Sequence, residues 1–306
     1  MQTILGANGQ IAEELTRYLH DTATHDIRLV SRNPRQVHDT DQLHKADLTD
    51  PAATAAAVEG SDIAYLTVGL PNDTALWERQ FPVMMANTIA ACQKHDCKLV
   101  FFDNTYMYPK TSAPQVEDTV FEPAGRKATV RAQMATMLLR EMRAGTIEAV
   151  ICRAPEFYGP GKTKSLTNSL IFDRIAHGKR PFVPLNAHTR RSIIWTPDAS
   201  HAMGLIGNTP DAYGQTWHLP IDPDRLTYHD MITMASQILG RNIPYTTVPA
   251  VAFTIGALFN TPTKEIRELL PRYRNDNNFD STKFAKRFPD FTITTYRDGI
   301  TQILQR

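Results

Sequence analysis

The segment Thr3-Ile4-Leu5-Gly6-Ala7-Asn8-Gly9-Gln10-Ile11-Ala12 decides the fold. A short apolar run gives way to a turn carrying two glycines, and the next residues are spaced as an amphipathic helix. Glycines at such a turn permit a tight bend and close approach of a diphosphate to the backbone. The helix start adds unpaired N–H groups and the positive end of the helix dipole, and small Ala12 lets helix and strand pack closely. Gly6, Asn8, Gly9, Gln10 and Ile11 are therefore the first candidate cofactor residues. A plain strand-to-helix turn has the same appearance, so the case for a dinucleotide rests on the strands and helices downstream.

Short apolar runs alternate with amphipathic stretches through the first half of the chain. Strands are expected at Thr3-Leu5, Ile27-Val30, a short segment before Ala46-Asp47, Ile63-Val68, Lys98-Phe102 and Ala149-Cys152. Helices are expected at Ile11-His20, Pro51-Val58, Ala75-Lys94 and Val130-Arg143, where apolar side chains recur every three or four residues. Alternating strands and helices with right-handed crossovers predict an α/β fold of the Rossmann type, a doubly wound parallel sheet. After Gly159-Pro160-Gly161 the sequence turns to prolines, aromatics and irregular polar stretches, as expected of a smaller C-terminal substrate lobe. The expected division is a Rossmann domain over 1–158 and a mainly substrate-binding lobe over 159–306, with returning segments near 190–220. Ser192-Trp195 and Gln215-Leu219 are the returning strands.

The end of the second strand selects the nucleotide. NAD-binding proteins place an acid there against the ribose hydroxyls, whereas this chain has Leu29-Val30-Ser31-Arg32-Asn33. The Ser31 hydroxyl and the Arg32 guanidinium, with Arg35 as a helper, suit the 2′-phosphate of NADP(H), and NAD is the lesser alternative. Asp47, with Leu48 after it, closes the third strand and can accept from the adenine amino group. Thr49 or Asp50 is the natural cap of the helix starting at Pro51.

Other chemistries find no support in the sequence. The 306 residues carry a formal net charge of +1, which offers no general attraction to nucleic acid or anionic membranes. Cys92, Cys97 and Cys152 have no metal-ligand spacing and read as buried thiols in a reducing compartment. No metal site, acyl-transfer elbow or signal segment is apparent, so a cytoplasmic protein with a small-molecule substrate is expected, and a homodimer stays open. Gly161-Lys162-Thr163 lacks the upstream glycine of a phosphate loop. The apolar stretch Val248 to Phe259 is too short to cross a bilayer and is expected as a core helix.

Several features together resemble the extended and atypical short-chain dehydrogenase/reductases, the NAD-dependent epimerase/dehydratase family. They are the glycine turn, Asn87, Phe101-Phe102-Asp103-Asn104-Thr105-Tyr106-Met107-Tyr108, Arg153-Ala154-Pro155-Glu156-Phe157-Tyr158-Gly159-Pro160-Gly161, Arg191 to Ala199, and Asp280 to Phe284. The resemblance places Val68, Gly69 and Pro155 beside the cofactor. It implies a Tyr-x-x-x-Lys pair with a Ser or Thr, the tyrosine serving as general acid/base. Here the tyrosine position falls on Lys127, the lysine position on Arg131 and the hydroxyl position on Asn104. Arg131 can hydrogen-bond a ribose and Asn104 can orient a carbonyl, but Lys127 does not titrate as a phenol does. Tyr106, Tyr108 and Tyr158 are substitute acids on loops, and a desolvated Lys127 is another. Tyr106 and Tyr158, with Arg191 of the Arg190-Arg191 pair, are the candidate substrate contacts, Arg191 for a substrate phosphate or for a salt bridge to Asp198. Two functions are expected on these grounds: an oxidoreductase or epimerase/dehydratase acting on a small carbonyl or sugar-like substrate, or an NADP(H)-binding redox sensor or regulator without turnover.

Overall fold

A computed structural model describes every residue except 162, 164 and 306, and only the backbone at 262. The chain forms two compact units, each built from separate segments: the first from 1–107, 123–153 and 199–219, the second from 108–122, 154–198 and 220–306.

The first half of the chain runs β1 (Gln2–Leu5), α1 (Gln10–Thr22), β2 (Ile27–Ser31), β3 (Gln42–Lys45), α2 (Pro51–Val58), β4 (Ile63–Leu66), α3 (Thr74–Lys94), β5 (Lys98–Asn104), α4 (Arg126–Ala144) and β6 (Ala149–Ala154). The second half continues with β7 (Glu156–Tyr158), α5 (Asp173–Ala176), β8 (Phe182–Pro184), β9 (Ile193–Trp195), α6 (Thr196–Gly207), β10 (Thr216–His218), α7 (Tyr228–Leu239), β11 (Thr246–Val248), α8 (Ala250–Phe259), α9 (Thr261–Arg267), α10 (Thr282–Arg287) and α11 (Tyr296–Leu304). The first unit holds a seven-stranded parallel sheet in the order β10-β6-β5-β4-β1-β2-β3, the Rossmann-type α/β fold expected from the sequence. β1 is flanked by β2 and β4, so strand order reverses beside it. Leu5 pairs with Val30 on one side and Leu66 on the other, which brings the three strand ends to one edge and sets Gly6, Ser31 and Thr67 there. Apolar side chains of one sheet face and of α2, α3 and α4, among them Leu66, Met85, Phe101, Val130 and Leu138, form a core on that side.

α4 starts four residues earlier than the periodicity predicts. Gly125 is its N-cap with φ 104°, a left-handed backbone that glycine adopts readily, and this draws polar Arg126 and Lys127 into the helix. Of the two expected returning strands, 216–218 joins the main sheet beside β6, whereas 193–195 pairs with β7 inside the second unit.

The second unit packs around Tyr158, Phe172, Trp195, Tyr228, Tyr296 and Ile300. Its Gly159 is required by a close approach, since a Cβ there would lie 1.9 Å from Thr196 Oγ1. α8 corrects the sequence reading: none of its residues is buried, and Val251, Ile255, Leu258 and Phe259 are 61%, 55%, 74% and 86% exposed. Composition marked the helix as apolar, but composition carries no information on whether another element covers it.

Candidate functional site

The glycine turn is held as a shaped backbone. Gly6 has φ 102°, and a Cβ on it would come within 2.5 Å of Val68 Cα, so neither the conformation nor the space admits a side chain. Gly6 and Ala7 both donate to the Val30 carbonyl, at 2.9 and 3.0 Å. Gly9 is the N-cap of α1 and has no side chain with which to cap it, and a helix start of this kind carries the positive end of the helix dipole. Asn8, itself left-handed with φ 75°, ties the turn to the loop after β2. Its Nδ2 donates to the Asn33 carbonyl at 2.7 Å and to Ser31 Oγ at 3.3 Å, while its Oδ1 accepts from the Arg35 amide at 2.9 Å.

Around that turn the structure gathers the other cofactor candidates of the first unit. Ser31 ends β2, and Arg32 comes next, exposed. The Thr49 amide and hydroxyl hold the Asp47 carboxyl below its ordinary range, burial opposes them, and Arg32 adds a smaller lowering. Asp50, not Thr49, caps α2, accepting from the Ala52 and Ala53 amides. Leu48 is buried, and its carbonyl accepts from Asn87 Nδ2 at 2.9 Å, which gives Asn87 a role in fixing the β3–α2 loop. Val68 stands against Gly6, and an added Cβ at exposed Gly69 would meet nothing within 4 Å.

The positions that the resemblance assigns to proton transfer are differently furnished. Asn104 accepts from the Tyr106 amide at 2.9 Å, and the Tyr106 ring stacks on Trp77. Lys127 is fully buried; its Nζ donates to Thr74 Oγ1 at 2.8 Å and lies 5.9 Å from the centre of the Trp77 ring. Arg131 does not point its donors at a ribose: Nε and Nη2 hold Asp103 Oδ1 at 3.1 and 2.6 Å, and Nη2 also donates to the Phe102 carbonyl. The other Asp103 oxygen accepts twice from Arg153, both at 3.2 Å. One carboxylate thus anchors two buried guanidiniums, a charge-assisted arrangement that fixes side chains strongly. Sequence reasoning misses Asp103; the available signal is an acid just before Asn104 in an otherwise apolar strand.

Tyr108, Pro155, Tyr158 and Arg191 belong to the second unit. Tyr108 is buried and donates to the Val116 carbonyl at 3.2 Å. Pro155 is buried just after β6. Tyr158 is 1% exposed, its hydroxyl finds no hydrogen-bond partner, and burial raises its pKa well above that of a free phenol, which disfavours it as an acid near neutrality. Arg191 is fully buried and faces Glu156 at 3.4 Å rather than Asp198, while Nη1 donates to the Arg272 carbonyl at 2.8 Å. Its Nε finds no hydrogen-bond partner among the described residues. Glu156 also faces Arg272 at 3.5 Å and accepts from Thr167 at 2.7 Å and Tyr273 at 2.8 Å. Burial disfavours the Glu156 charge, but the Arg272 and Arg191 guanidiniums and those hydroxyls outweigh it and hold the carboxyl below its usual range. Asp198 bonds the Thr294 amide and hydroxyl instead, at 2.7 and 2.9 Å. Lys110, not foreseen in the sequence, donates to the Tyr108 carbonyl at 2.9 Å; burial, and secondly Arg272, lower its pKa to about 8. Lys162 of the Gly161-Lys162-Thr163 segment lies outside the described residues.

A parallel sheet with a switch of strand order beside a glycine turn defines a dinucleotide-binding class of α/β protein. The profile of the NAD dependent epimerase/dehydratase family matches residues 3–219, and the chain belongs to that family. An uncharacterized protein, y4nL of Sinorhizobium fredii (strain NBRC 101917 / NGR234), is 26% identical over 260 residues, covering 79% of this chain and 72% of its own. Among solved structures the chain is similar to gox2253, with a TM-score of 0.80, 19% identity and coverage of 100% and 97%. It is also similar to UDP-glucuronic acid 4-epimerase from Bacillus cereus, solved with NAD, with a TM-score of 0.79, 14% identity and coverage of 100% and 99%. At these identities the likeness is one of fold.

Proposed function

We propose that this chain binds NADP(H) and acts as an oxidoreductase or epimerase/dehydratase-like enzyme on a small carbonyl or sugar-like substrate. The observation that carries the reading is the Gly6–Gly9 turn, whose left-handed Gly6 stands too close to the Val68 backbone to admit a side chain and which leads directly into the N-terminus of α1. The residues present fit the group. The first amides of α1 would take the diphosphate, Ser31 and Arg32 the 2′-phosphate, and Asp47 the adenine amino group. A bound nicotinamide dinucleotide supplies a hydride donor or acceptor. The similar proteins solved with NAD leave the preference to this chain's own residues, and Arg32 in place of an acid favours the phosphorylated form.

For proton transfer, Asn104 at the end of β5 would orient a carbonyl, and Tyr106, two residues on in the same unit, would supply the acid. The test is absorbance at the nicotinamide band with a panel of aldehydes, ketones and sugar nucleotides. Oxidation of NADPH by at least one of them is expected, with kcat falling in Tyr106→Phe; no turnover with any candidate contradicts the enzymatic reading. A second reading, an NADP(H)-binding redox sensor without turnover, is favoured by one observation: the donors of Lys127 and Arg131 have protein partners. It predicts partner affinity that differs between NADP, NADPH and no nucleotide.

A further inference from the structure

We infer that the outward face of α8 is a docking surface for an anionic lipid membrane, on which the protein rests without spanning it. The inference is independent of the proposed catalysis. Val251, Ala252, Ile255, Leu258 and Phe259 are all exposed and stand at i, i+1, i+4, i+7 and i+8, which is one stripe of a helix. The opposite side is already used: Phe253 packs on the second unit's core, as does Ile266 of α9. No helix among the described residues is long and apolar enough to cross a membrane, so a lipid contact through α8 is one that lies in the interface.

Size and charge decide between a membrane and a second copy of the chain. From their exposed fractions, the four large side chains present an apolar patch on the order of 500 Å². A stable protein interface buries about 800 Å² on each partner, so α8 alone is too small to hold a dimer. A lipid surface has no matched area to satisfy, because each apolar side chain partitions separately below the headgroups. The exposed charges of the neighbouring segment have one sign. From 249 to 275 the exposed charged residues are Lys264, Arg267 and Arg274, whereas the acids of that stretch, Glu265 and Glu268, are half-buried. Exposed cations beside an apolar stripe are attracted to anionic headgroups, each adding to the partition.

The test is flotation of the full chain with vesicles of one-third phosphatidylglycerol in phosphatidylcholine at low salt. The chain is expected to float with them and to bind pure phosphatidylcholine several-fold more weakly. Leu258→Ser with Phe259→Ser should lower the partition coefficient on the order of a hundredfold, with the thermal melt of the free protein kept. In the background of the native stripe, Ile255→Trp provides a second readout, a blue shift of its emission on adding the anionic vesicles. Failure of the unaltered chain to float, flotation that survives the double substitution, or no blue shift overturns the inference. So does a dimer in sedimentation velocity that the double substitution dissociates, which would assign the stripe to a second copy.

Discussion

The glycine turn and the Asn104–Lys127–Arg131 region lie in the same unit, yet they are made from opposite materials. The turn is backbone: a left-handed glycine, a left-handed asparagine and a helix whose N-cap is a glycine. The second region is side chain: Lys127 spent on Thr74, and Arg131 and Arg153 sharing the two oxygens of Asp103. The first is main-chain shape, and the second is side-chain donors given to the protein. Glu156 repeats the second pattern in the other unit, one buried carboxylate set against Arg191 and Arg272. The difference teaches that one region is built from main-chain shape, which tolerates few substitutions, while the other is held by buried side-chain partners, an ion pair at Arg131 and a hydrogen bond at Lys127.

If the side-chain networks are structural, removing a shared carboxylate gives the largest effect. Glu156→Ala leaves Arg191 buried without its counter-charge and is expected to cost about 3–5 kcal/mol in urea unfolding at neutral pH. The folded Glu156 carboxyl titrates below its ordinary range, so its contribution is present above the unfolded pKa and is lost as pH falls through the folded one. The gap between the two proteins should therefore narrow in acid. A cost under about 1 kcal/mol would break the comparison on that side.

The turn is broken by Gly6→Ala. The added Cβ meets the Val68 backbone in a conformation alanine avoids, which should cost about 2–3 kcal/mol and abolish nucleotide binding. Calorimetric binding that survives the substitution would show that the backbone shape is dispensable.

Asp198 sharpens the contrast, because it is a buried carboxylate bonded to Thr294 and, among the described residues, paired with no cation, and burial raises its pKa to about 6. A raised carboxyl favours folding below its unfolded pKa, and that contribution disappears as pH rises through the folded one. Relative to Asp198→Asn, the native protein should lose on the order of 2 kcal/mol of stability from the acid to the neutral side of that window. Unfolding in urea at pH values either side of it reads the sign directly, and a native protein that gains instead would be contrary to the burial argument.

Much of the sheet was legible because strand and helix periods differ and alternate cleanly up to β6, and because the turn sits where the first strand ends. Partners were not legible. Asp103, Glu156 and Thr74 are ordinary residues in sequence, and only folding brings them to Arg131, Arg191 and Lys127. Hence nothing in the sequence announces that Arg131 and Arg191 face buried carboxylates. α8 failed for a related reason: apolarity announces a need for cover, while the structure leaves its outward stripe uncovered.

The smallest effect tests the most. Arg32 is exposed beside Ser31, so Arg32→Ala should leave the fold unchanged and remove only the guanidinium offered to a 2′-phosphate. Calorimetric titration of NADPH and NADH into both proteins is expected to show tighter binding of NADPH by the native chain, with that preference reduced about tenfold, about 1.4 kcal/mol, in the variant. Binding of neither dinucleotide by the native chain would contradict the reading of the Gly6–Gly9 turn, and an unchanged preference would remove Arg32 from it.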